Sequence, residues 1–69
     1  MKNFTAVIER SRETGLFIGH VPALPGAHTQ AATLDELRAN LKEVIELVLE
    51  DDAPVYETDF IGLQSIAVA

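Results

Sequence analysis

The feature that most constrains this chain is a single amphipathic run from Thr33 to Asp52, because a helix with one apolar stripe must lay that stripe against something. Thr33-Leu34-Asp35-Glu36 reads as a capping box, in which the Thr33 hydroxyl accepts from the Glu36 amide and the Glu36 carboxylate reaches back to the Thr33 amide. Leu34, Leu37, Leu41, Val44, Ile45 and Val48 then recur at three- and four-residue steps. Asp35, Arg38, Lys42, Glu43, Glu46 and Glu50 fall mostly off that stripe. Pro54 stops the helix near Asp52, after about 18 residues or ~27 Å at ~1.5 Å per residue. Glu50, Asp51 and Asp52 crowd its C-terminal end, where the backbone dipole disfavours negative charge.

What the stripe covers has to be a sheet, since the rest of the chain reads as short strands. From Lys2 to Arg10 the pattern alternates, with Phe4, Ala6 and Ile8 on one side and Thr5, Val7 and Glu9 on the other. Ser11 to Gly15 is a polar hairpin loop whose glycine can take a positive φ. Leu16 to Val21 is a second strand, in which Gly19 marks a bulge or a close approach of backbone. Pro22-Ala23-Leu24-Pro25-Gly26 cannot continue a ladder and forms a rigid loop, and Ala27 to Ala31 is a short third strand. Beyond the helix, Val55 to Asp59 connects to Phe60–Ala69, an uncharged stretch that reads as a fourth strand.

These elements predict an α+β domain of order β-β-β-α-β. A meander of three strands followed by a right-handed helical crossover gives a mixed four-stranded sheet of order 3-2-1-4, covered on one face by the helix. Val7, Phe17 and Val21 are placed on the opposite face from Phe4, Ala6 and Ile8, so apolar side chains are expected on both sides of the sheet. The uncovered face and the uncharged last strand predict self-association as a homodimer or larger, through Phe60, Ile61, Leu63, Ile66 and Val68.

At 69 residues, positions 1–69 form one domain, and a chain this short buries only about 60% of its unfolded surface. With no cysteine there is no disulfide or thiolate metal site, and His20 and His28 are too far apart for a compact ligand pair on one helix. Oligomerisation is the staple that remains. Eleven acidic against five basic residues give a net charge of −6, which disfavours phosphate backbones and suits either a basic partner or simple solubility. The first fifteen residues lack the apolar core of a signal peptide and no stretch reaches membrane-spanning length, so a cytoplasmic protein without membrane contact is expected.

Catalysis is not expected. A one-helix domain leaves little room for a pocket of titratable groups, and no nucleophile–base signature stands out. His20 and His28 each read either as a base or partner contact or as an ordinary strand histidine. Glu50, Asp51, Asp52, Glu57 and Asp59 do not match the spacing of a calcium loop, and no cofactor or metal site is predicted. The four glycines are dispersed and the five basic residues are split between the first hairpin and the helix, so direct nucleic-acid binding is not expected either. A two-metal nuclease would need paired acids at the ends of core strands, and Glu9 is the only acid inside one.

The stretch Gly15 to Glu50 resembles the HicB-like antitoxin family, whose pattern runs strand, Val-Pro-x-Leu-Pro-Gly, short strand, Thr-Leu-x-Glu, Asn-Leu-Lys-Glu-x-Ile-Glu. The residues that carry the likeness are Val21, Pro22, Leu24, Pro25, Gly26, Thr29, Thr33, Leu34, Glu36, Asn40, Leu41, Lys42, Glu43 and Ile45. The resemblance implies a partially degraded ribonuclease-H-like fold and a role in covering the active site of a HicA toxin, a small RNA-cleaving protein. Contact with such a partner is expected around His20, Pro22, Leu24, Pro25, Gly26 and His28, although the two prolines and the glycine also serve simply to fix the turn. Ala31-Ala32 and Ala27 depart from the polar pair and the cysteine common in the family. Family members usually continue into a DNA-binding module, which is not expected here. Two functions therefore follow from the sequence: a toxin-masking antitoxin domain, or a small homo-oligomeric structural or regulatory protein without a toxin.

Overall fold

The computed structural model describes residues 2–52 and 54–69. Three strands and one helix follow in the order β1 (Val7–Arg10), β2 (Phe17–His20), β3 (His28–Ala31) and α1 (Leu34–Glu50). The strands form an antiparallel sheet of order β1-β2-β3, so the molecule is α+β as expected.

Register follows from the first hairpin. Ser11 N donates to Leu16 O at 2.9 Å and Gly15 N to Ser11 O at 2.8 Å, closing a loop in which Gly15 sits at φ 74°. That loop pairs Ile8 with Gly19 and Arg10 with Phe17, so even positions of β1 face odd positions of β2. Continuing to β3, Gly19 pairs with Thr29 and Phe17 with Ala31. One sheet face therefore carries the rows Ile8–Gly19–Thr29 and Arg10–Phe17–Ala31, and the other carries Val7–His20–His28 and Glu9–Ile18–Gln30.

Helix α1 lies on the first of these faces, packed across β3 and β2. Its start is capped by Thr33, whose hydroxyl accepts from the Glu36 amide at 3.1 Å; among the described residues the reciprocal bond from the Glu36 carboxylate is not made. At its end Asp52 adopts φ 53°, a left-handed residue just before Pro54. No basic side chain lies in the last turn to offset the acidic cluster there.

The core is Val21, Leu24, Ala27, Ala31, Leu37 and Leu41. Leu24 and Leu37 are its largest fully enclosed side chains, each contributing roughly 1.5–3 kcal/mol by burial. The proline-bearing loop places Leu24 there: Leu24 N donates to Val21 O, Ala27 N to Leu24 O, and Val21 N to Ala27 O, with Gly26 at φ 91° completing the reversal. Gly19 makes the close approach that the sequence suggests, without a bulge in the continuous register. A Cβ there would lie 3.0 Å from Leu41 Cδ1 and 3.3 Å from Ile8 Cδ1.

Three expectations are corrected. There is no fourth strand and no 3-2-1-4 order among the described residues: residues 54–69 carry no regular secondary structure, because a strand exists only with a neighbour to receive its backbone bonds, and this segment lies on none. Phe17 and Val21 are not opposite Phe4, Ala6 and Ile8 but pack with Phe4 and Ala6 around the same core, since the hairpin loop sets even against odd; Val7 does face the other way. The first strand is shorter than Lys2–Arg10. With the Val21 amide directed at Ala27 on the β3 side, the next residue of β2 that would turn an amide toward the first strand is Pro22, which has none to donate.

Candidate functional site

Two surfaces are built by this arrangement. The first is the open sheet face. Register puts His20 directly opposite His28, two residues separated by seven others in sequence, and side chains so placed lie roughly 4.5–5.5 Å apart at Cβ. Both are exposed, with Val7 beside His20 on the same row and Glu9, Ile18 and Gln30 on the next. Among the described residues no group of three or more His, Cys, Asp or Glu side chains is gathered as metal ligands, so this pair stands without a third protein ligand.

The Val21–Gly26 loop leaves the same end of the sheet. Pro22, Pro25 and Gly26 are exposed there, continuous with His20 and His28, whereas Leu24 is wholly buried and acts on that surface only by anchoring the loop. Of the six residues that sequence reasoning groups as a partner contact, five are brought together at one end of the domain and the sixth holds them in place. Helix α1 adds a charged flank. From Leu34 to Asp52 seven acidic residues stand against two basic ones, and all seven acids are exposed.

The second surface lies on the β1 flank. Because α1 sits over β3 and β2, the angle between β1 and the helix is left open as a groove of about 1120 Å³, with Phe4, Ala6, Ile8, Leu34, Leu41 and Ile45 among its walls. Ile8 is 44% and Leu34 56% exposed. The sequence places Leu34 on the helix stripe and Ile8 on one face of the first strand, and does not show the groove between them.

Residues 55–59 pass beside Lys2–Phe4, held by Tyr56 N donating to Ala23 O at 2.8 Å, and line a shallow cleft of about 560 Å³. Beyond it Phe60 is 57%, Leu63 82%, Ile66 77%, Val68 87% and Ile61 93% exposed. Among the described residues no helix is long and apolar enough to cross a membrane.

No sequence-family model matches the chain. Whole-length relatives do. The chain is 49% identical over 65 residues to a UPF0150 protein of Archaeoglobus fulgidus, covering 94% of this chain and 93% of that one. It is 46% identical over 68 residues to a UPF0150 protein of Thermotoga maritima, covering 97% and 91%, and 43% identical over 67 residues to one of Synechocystis, covering 97% and 96%. With likeness at this level running through nearly the whole of both chains in each case, the protein belongs to the UPF0150 family.

Proposed function

We propose that this chain is a non-enzymatic binding domain of the HicB-like antitoxin kind, which seats on a small basic RNA-cleaving toxin and covers its active site. The observation that carries the reading is the acidic helix flank, seven exposed acids against two bases, beside an exposed end of the sheet built from His20, His28 and the Pro22–Gly26 loop. A surface of that sign attracts a protein shaped to hold RNA phosphates, and speeds its encounter more than it tightens the final complex. The resemblance of Val21–Gly26 and Thr33–Ile45 to the antitoxin pattern supplies the partner class. The family name of the relatives assigns no activity, so the proposal stands on the residues.

The test is co-expression of the full chain with the small basic protein encoded beside it, followed by co-purification and an RNA-cleavage assay of that protein with and without this chain. Association with loss of cleavage is the expected result, and Glu43→Lys with Glu46→Lys should slow association about tenfold or more at low salt. A basic neighbour that cleaves RNA equally well in the presence of this chain contradicts the proposal. The second reading, a homo-oligomeric structural or regulatory protein without a toxin, is favoured by the exposed apolar residues 60–69 and gains if no basic neighbour is encoded.

A further inference from the structure

We infer that residues 60–69 of one copy complete the sheet of a second copy, adding as a strand to its β1 edge and filling its β1–α1 groove, with the exchange reciprocated. The two surfaces concerned are complementary in kind. Phe60–Ala69 is a ten-residue uncharged stretch rich in the residues that favour strands, and about 33 Å long when extended. β1 offers the edge Val7–Arg10, which among the described residues is unpaired on the side away from β2, with Lys2–Ala6 leading into it. The groove beside that edge is apolar at Phe4, Ala6, Ile8, Leu34, Leu41 and Ile45.

The segment does not serve its own groove. It runs past Lys2–Phe4 in residues 55–59 and then leaves the body, so that five large apolar side chains are left 57–93% exposed. The radius of gyration is 13.3 Å, against roughly 11 Å for a compact chain of this length. Among the described residues Tyr56 N to Ala23 O is the last backbone hydrogen bond before Ala69. A second copy presents the same segment and the same groove, and one two-fold operation fills both, leaving no end free to propagate a fibre. Both faces of the added strand find cover or apolar neighbours. One set of alternate residues meets the groove, and the other continues the open face beside Val7.

The experiment uses the full chain and two complementary lesions. Leu63→Asp with Ile66→Asp damages the segment; Ile8→Asp, or Leu34→Asp where the former fails to fold by circular dichroism, damages the groove. Mass is read by sedimentation equilibrium. The intact chain is expected as a dimer, each lesion alone should weaken self-association at least tenfold, and mixing the two lesions should restore a heterodimer through the one undamaged segment-to-groove contact. Groove-damaged chains that dimerise as well as the intact protein would show segments pairing with each other and overturn the inference. An intact chain that stays monomeric up to high micromolar concentration would overturn it as well.

Discussion

The two flanks of this small domain are built to different degrees of completion. On the β3 side, α1 lies over the sheet and the loop after β2 drives Leu24 into the space between, so that Leu24, Ala27, Ala31 and Leu37 are enclosed. On the β1 side the helix does not reach the edge strand, Ile8 and Leu34 stay half open, and the chain's most apolar segment extends away from the body. The difference teaches where stability and interaction are separated. Side chains of the first flank hold the fold, and those of the second are available to something else.

The sharpest way to break this comparison is Leu24→Ala. Truncating a fully enclosed leucine costs about 2–5 kcal/mol, while a domain of this size has only roughly 3–10 kcal/mol in total. Urea titration should find the variant partly or wholly unfolded without denaturant; a midpoint near that of the parent would mean the β3 flank is not the core. Gly19→Val comes next, because its Cβ alone would sit 3.0 Å from Leu41 Cδ1, and overpacking there should cost about 1–3 kcal/mol in the same titration. Thr33→Ala removes the cap of α1 and should lower stability by ~1 kcal/mol, read as a drop in the thermal midpoint of several degrees, about 4–8 °C. The smallest effect belongs to the other flank. Ile66→Asp should change unfolding free energy by less than about 0.5 kcal/mol in a sample dilute enough to be monomeric, whereas a loss above 1 kcal/mol would mean that the segment packs on its own domain.

Much of the first flank is legible from residues alone. Thr33-Leu34-Asp35-Glu36 announces the start of α1, the three- and four-residue spacing of Leu37, Leu41, Val44 and Ile45 marks its inward face, and Pro22, Pro25 and Gly26 predict the loop that the hydrogen bonds then describe. Register was not legible. Which residues of β2 share a face with Ile8 depends on how many positions the hairpin loop between Ser11 and Leu16 takes up, and a shift of one residue moves Phe17 and Val21 from one side of the sheet to the other. The same register sets His20 against His28, a juxtaposition invisible to spacing along the chain. Phe60–Ala69 taught a different lesson: its residues declare a preference for extended structure, but a preference forms no ladder without a neighbouring edge, and where that edge lies is a property of the assembled molecule.

The claim that the β1 flank is completed by a second copy is tested most directly by amide hydrogen exchange of residues 61–68 in a sample whose mass is known from light scattering. Slow exchange of these amides in a dimer, lost on dilution to monomer, is the predicted result. Exchange at the rate of an unfolded chain in the dimer, or equal protection in a monomer, would contradict it.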